Sequence, residues 1–331
     1  MITLKYILFF LVLLILSYFY EKIKKDESKN TSAYYFKMID QFLLTPESLG
    51  KNNKPCLWIH LHNDNITIPS TNQRDWINFS SRNSTNFNQP YQFLTIKSII
   101  KHCKNDFNIC LINDLSFKKI IPNWSLDIEN TANPLRTHIR SIALCNILNI
   151  YGGMLVPSSF ICFKSLKSMY NQYLNDNNFF VGEFVNRTNI NQSFQQNFVP
   201  YTYIMGSTPN NNVMKEFIKH QEILISKDFT FEMDFVGNIN FWLQEKINNN
   251  SINLINGNYI GTVDNFDNPI IIDMLISNKY LELNSNAYGL YIPWDELINR
   301  LNLQWFVYLS PKDVLESNTN IDKYLLISNE N

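Results

Sequence analysis

The chain of 331 residues lacks an excess of charge of either sign: 28 basic side chains stand against 29 acidic ones, a net charge of −1. Proteins that bind nucleic acid through its phosphates carry a basic excess on a domain or face. We therefore expect no nucleic-acid partner. The sequence also lacks internal repeats and an interior linker, which favours one globular body after an amino-terminal segment.

Cysteine motifs are missing as well. No two of the five cysteines form a Cys-x-x-Cys motif, and their spacing is irregular: Cys56, Cys103, Cys110, Cys145 and Cys162. An odd number without regular spacing argues against a disulfide framework and against a zinc site. Most of these cysteines lie in apolar segments, where a thiol behaves as a small hydrophobe. We expect them to be buried core residues.

The amino terminus contains one long apolar run, YILFFLVLLILSYFY at 6–20. Together with the residues before it, the run reaches about 20 positions, enough to span ~30 Å of hydrocarbon. No cleavage site of small residues follows it. We predict a single-pass membrane protein, with an anchor in 1–25 that contacts the membrane through 4–20. A stem at 26–54 and a globular domain at 55–331 follow, and the orientation stays open.

The body alternates strand-like and helix-like segments. Residues 56–62 and 106–112 have the pattern of buried strands, and a helical pattern lies between them. This order predicts an α/β unit, in which ligands bind at the carboxyl ends of the strands. Asn113 and Asp114 stand at such an end and are candidates to contact a nucleotide or sugar. Alternatively, Asp114 caps the following helix.

His60 and His62 alternate along the first predicted strand and would share one face. A metal pair is one interpretation of this spacing. Because no third ligand stands nearby in the sequence, we favour core histidines with satisfied hydrogen bonds.

The most informative segment contains Tyr151-Gly152-Gly153 followed by Met-Leu-Val-Pro-Ser-Ser. An amphipathic helix is predicted over 135–150, the glycine pair ends it, and a buried strand follows at 154–156. This pattern, with its Leu-x-x-Tyr-Gly-Gly ending, resembles the core of glycosyltransferases that have a DXD sugar-binding region. The Asn-rich and Ile-rich composition also resembles that of proteins from large DNA viruses.

The resemblance covers about half of the chain and implies a GT-A-like fold, an α/β (Rossmann-like) mixed sheet flanked by helices. It implies a nucleotide-sugar donor and a glycan or protein acceptor. The catalytic carboxylates would be Glu183 and Asp234, although a surface strand end and a helix cap are the plainer interpretations of these two. The donor contacts would come from Asn113, Asp114, Arg136, Arg140, Gly152, Gly153 and Ser159.

The chain departs from the family pattern where the metal binds. The family's Asp-x-Asp is replaced by Pro157-Ser158-Ser159, and Leu144 stands where its helix carries an arginine. Mg²⁺ and Mn²⁺ prefer carboxylate and phosphate oxygens, so we expect no metal site and no cofactor other than the donor.

Two functions are consistent with this sequence. One is a membrane-anchored transferase that moves a sugar from a nucleotide to a hydroxyl without the usual metal, with Arg136, Arg140 or Lys164 stabilising the diphosphate. The other is a catalytically inactive binding or structural protein on the same fold.

Overall fold

The computed structural model describes residues 6, 15–20, 22, 54–61, 89–128, 130–174, 179–186, 197–228 and 230–330. The chain divides into two compact units, Met1–Leu43 and Leu44–Asn331. In the first unit, residues 15–20 are helical and exposed. None of the helices within these described ranges is long and apolar enough to cross a membrane. Residues 4, 5 and 7–14 of the predicted anchor, His62, and the predicted stem up to residue 53 lie outside the described residues.

A six-stranded sheet organises the second unit. Its strands are β1 (Cys56–His60), β2 (Asn108–Ile112), β3 (Gly153–Leu155), β5 (Phe179–Val185), β6 (Phe198–Ser207) and β7 (Asn253–Ile255). They lie in the order β2-β1-β3-β6-β5-β7. Strand β6 is antiparallel to both of its neighbours, and the other neighbouring strands are parallel. The mixed sheet confirms the α/β prediction.

A second, two-stranded sheet pairs β4 (Phe160–Cys162) with β8 (Gly289–Tyr291) in antiparallel orientation. Strand β4 does not continue β3 in the main sheet. The backbone N–H of Phe160 donates to the carbonyl of Pro157, so a turn separates the two strands. The chain therefore leaves the main sheet before β4 begins.

Helices surround the sheets. The longer ones are α1 (Gln92–Cys103), α3 (Leu135–Tyr151), α5 (Asn212–Ser226), α6 (Glu232–Asn248) and α12 (Asn320–Glu330). The shorter ones are α2 (Asp114–Ile120), α4 (Lys167–Leu174), α7 (Gly257–Ile260), α8 (Ile272–Ile276), α9 (Trp294–Asn299), α10 (Gln304–Val307) and α11 (Pro311–Leu315). The predicted helix at 135–150 is confirmed by α3, and α1 is the helix predicted between the first two strands.

Strand β1 is buried on both faces of the main sheet. Trp58 belongs to a core cluster that includes residues of α3, α5 and α6, and it is 0% exposed. Its neighbours Leu57 and Ile59 point to the opposite face, because side chains alternate along a strand, and they are also fully buried. A further core cluster lies around β8 and the carboxyl-terminal helices. At β1 the faces of the sheet are therefore closed to a ligand.

Candidate functional site

The carboxyl ends of β1 and β2 meet beside the start of α2. His60 pairs with Ile112 in the parallel register of the two strands. Asn113 then caps α2: its side chain accepts a hydrogen bond from the Ser116 N–H at 3.1 Å, and the Ser116 hydroxyl accepts one from the Asn113 N–H in return. The cap is thus Asn113, and the alternative that assigned this role to Asp114 was wrong. The carboxylate of Asp114, in the first turn of α2, bonds to His60 and Arg140 instead.

Asp114 joins His60 and Arg140 in one hydrogen-bonded group, which we call the His60–Asp114–Arg140 cluster. The carboxylate Oδ1 lies 2.9 Å from His60 Nε2 and accepts from Arg140 Nε at 2.9 Å. Its Oδ2 accepts from Arg140 Nη2 at 2.7 Å. The guanidinium therefore grips the carboxylate with two donors in a fork, which is the strongest form of this ion pair.

The cluster is largely closed to solvent. The side chains of His60 and Arg140 are 3% exposed, and that of Asp114 is 18% exposed. Burial by itself would raise the pKa of Asp114, but the hydrogen bonds and charges of His60 and Arg140 outweigh burial and hold this pKa well below its ordinary value. Asp114 is consequently a weak base and a firm anchor for Arg140.

The histidine ring is oriented by stacking as well as by the carboxylate. Its ring lies parallel to that of Phe117, with centroids 5.4 Å apart and an interplanar angle of 10°. Because an ionised carboxylate can only accept, Nε2 of His60 carries the proton in their hydrogen bond. His60 is thus a buried histidine whose Nε2 is hydrogen-bonded, which agrees with the core interpretation in these two respects.

The glycine pair packs against its neighbours. Gly152 and Gly153 have φ values of +67° and +100°, which suit residues without a side chain. A Cβ atom on Gly153 would lie 2.2 Å from the Cys56 carbonyl oxygen, and one on Gly152 would lie 2.7 Å from Pro209 Cδ. In addition, Trp58 Nε1 donates to the Gly152 carbonyl at 2.9 Å. The close fit of β3 against β1 thus requires Gly153, and the close approach of the end of α3 to Pro209 requires Gly152.

The segment that replaces Asp-x-Asp is internal. Ser158 and Ser159 are 1% and 0% exposed. The Ser158 hydroxyl donates to Gln92 Oε1 at 3.1 Å, and the Ser159 hydroxyl donates to the Ile292 carbonyl at 2.8 Å. The two serines therefore connect α1 with the residues after β8, and their hydroxyls are committed to the protein.

Arg136, Lys164 and Glu183 form hydrogen bonds with other parts of the chain. Arg136 Nε donates to the Thr131 carbonyl at 2.6 Å. Lys164 donates to the Asn286 carbonyl at 2.8 Å and lies over the Tyr288 ring. Glu183 Oε2 accepts from the Gly257 N–H at 3.0 Å, at the start of α7. Asp234 is exposed in the first turn of α6.

The structure thus brings Asp114 and Arg140 together and holds Glu183 elsewhere. Strand β5, which carries Glu183, is separated from β2 by three strands. At about 4.8 Å per strand spacing, this corresponds to roughly 19 Å across the sheet. The pairing of His60 with Asp114 could have been inferred from two adjacent parallel strands, but the contacts of Gln92 and Ile292 with the serines left no signal in the sequence.

Over the described part of the chain, no group of three or more His, Cys, Asp and Glu side chains is arranged to hold a metal ion. Comparison with protein-family models, with curated proteins and with solved structures gives no match. The assignment of function therefore depends on the geometry of these residues.

Proposed function

We propose that the chain is a non-catalytic binding or structural protein with a glycosyltransferase-like α/β fold, anchored to a membrane through residues 4–20. The observation that carries this proposal is the burial of Ser158 and Ser159, whose hydroxyls bond to Gln92 and Ile292. In the family that the sequence resembles, these positions face the metal and the sugar nucleotide. Here they link two parts of the core.

The cluster supports the same conclusion. Arg140 is the cation that the resemblance would direct toward a diphosphate, yet its Nε and Nη2 are bonded to Asp114. Releasing it to a ligand would leave Asp114 as a largely buried charge without its principal counter-ion, which is costly. Arg140 and Asp114 thus stabilise the fold by binding each other.

A thermal-stability measurement on the full chain in detergent micelles tests this proposal. UDP, GDP and their sugar conjugates are added at 1 mM, with and without Mn²⁺. A ligand with a dissociation constant of about 1 μM would stabilise the fold by about 4 kcal/mol and raise Tm by roughly 5–10 °C. We expect no shift with any of them. A shift that depends on Mn²⁺ would contradict the proposal.

A metal-independent transferase is the second candidate. The partial exposure of Asp114, 18%, at the carboxyl edge of the sheet favours it, because ligands of open α/β sheets bind at that edge. In this case a nucleotide sugar would raise Tm without Mn²⁺, and Asp114→Asn would abolish the shift. Hydrolysis or transfer of the sugar by the same preparation would then establish activity.

A further inference from the structure

Two of the five cysteines are adjacent in space, although the sequence gives no spacing that indicates pairing. The Sγ atoms of Cys103 and Cys162 lie 3.9 Å apart. This pair is fully buried. The two thiols of that pair stand at the ends of different elements, Cys103 at the end of α1 and Cys162 at the end of β4.

The elements that carry Cys103 and Cys162 are held in contact. The backbone N–H of Cys162 donates to the Ser98 hydroxyl of α1 at 2.9 Å, and the Cys162 carbonyl accepts from Ser328 of α12. These bonds fix the strand beside the helix. A disulfide has a length of about 2.05 Å, so the two sulfurs must approach by about 1.9 Å, which side-chain rotation with a small shift can supply.

We propose that Cys103 and Cys162 form a disulfide when the chain folds under oxidising conditions. Glutathione disulfide is a sufficient oxidant. One thiolate attacks it and releases a first reduced glutathione, and the second thiolate attacks the mixed disulfide and releases another. The Sγ–Sγ bond forms, the glutathione S–S bond breaks, and two electrons pass to the glutathione sulfurs.

Both sulfurs are closed to solvent in the folded chain, so the exchange takes place before α1 and β4 finish packing. The same closure protects the finished disulfide from reductants.

The test is oxidative refolding of the full chain in detergent, in a glutathione redox buffer. Free thiols are then alkylated, and the digested protein is analysed by mass spectrometry without reduction. We expect a peptide pair linked through Cys103 and Cys162. Because 59 positions separate the two residues, the link should raise Tm by roughly 5–10 °C relative to the reduced chain.

Two matched variants distinguish the effect of the disulfide from the effect of removing a buried side chain. Cys103→Ala should remove the linked peptide and the redox dependence of Tm. Cys145→Ala is the matched control, because it also removes a buried thiol, one that accepts a hydrogen bond from Gln221 at 3.3 Å. This variant should keep the linked peptide and the redox dependence of Tm. Five alkylated thiols after oxidative refolding of the unaltered chain would overturn the proposal, as would a link confined to Cys56 and Cys110.

Discussion

Among single residues, Arg140 holds the clearest structural role. Its guanidinium is 3% exposed and forms a fork with the carboxylate of Asp114. Removing one partner of a buried ion pair leaves the other charge desolvated and uncompensated. Replacing Arg140 should therefore destabilise the fold further, because it leaves the buried Asp114 carboxylate without this counter-ion.

We expect Arg140→Leu to lower the free energy of unfolding by roughly 3 kcal/mol. Arg300→Leu is the matched control, because Arg300 pairs with Asp273 at 2.7 Å but is 43% exposed. The control should lose at most about 1 kcal/mol. Urea denaturation of both variants measures the difference. Equal losses would show that the cluster is no more important than a surface pair.

The lowered pKa of Asp114 predicts a pH dependence. A carboxylate whose pKa is lower in the folded than in the unfolded chain contributes stability above its unfolded pKa, about 3.9, and loses that contribution as pH falls toward its folded pKa. We expect the stability difference between the unaltered chain and Asp114→Asn to be constant between about pH 5 and pH 7 and to shrink below about pH 4. Denaturation curves across this range measure it. A difference that grows on acidification would contradict the assignment.

The elements α3 and β3 illustrate which part of the fold the sequence could predict. The spacing of apolar residues from Leu135 predicted the helix, and the glycine pair predicted its end and the strand that follows. The partners of 157–159 were not predictable, because Gln92 and Ile292 are remote in sequence and bond through single polar groups. Likewise, the ion pair of Asp114 with Arg140 depends on how α3 packs beside α2.

A glycine comparison tests the packing of β3 against β1. Gly153→Ala should destabilise the chain by roughly 3 kcal/mol or more, because its Cβ would lie 2.2 Å from a backbone oxygen and its φ is +100°. Gly237→Ala in α6 meets nothing within 4 Å and should stabilise by about 0.5–1 kcal/mol. Thermal unfolding of both variants gives the comparison. Similar effects of the same sign would refute this account of the glycine pair.

At the scale of the whole molecule, α12 closes the second core cluster. Ile321 and Leu325 are fully buried, and Lys101 of α1 donates to the carbonyls of Ser328 and Asn329 at 3.2 and 2.8 Å. The last helix therefore braces α1, which in turn contacts Ser158 and carries Cys103. Loss of this helix should weaken the body well beyond its own contacts.

We expect deletion of 320–331 to prevent stable folding of the body, since each buried aliphatic side chain contributes about 2–5 kcal/mol. Two neighbouring variants resolve the cause. Leu325→Ala, at a position with 0% exposure, should cost about 3 kcal/mol, and Leu326→Ala, at 40% exposure, should cost under 1 kcal/mol. Circular dichroism and limited proteolysis measure the outcome. A deleted chain that unfolds cooperatively at the original temperature would contradict this expectation.

The order of strand-like and helix-like segments predicted an α/β body, and the mixed sheet flanked by helices confirms it. The membrane anchor and its orientation stay predictions. A disulfide between Cys103 and Cys162 in cells would place the body in an oxidising compartment, whereas reduced thiols would accord with a cytosolic body.

The close approach of Gly153 to the Cys56 carbonyl has a consequence for what the glycine pair can indicate. A side chain at 153 would push β3 away from β1, and a side chain at 152 would meet Pro209, so folding alone requires glycine at both positions. The pair therefore reports how closely this chain packs, and by itself it carries no information about catalysis.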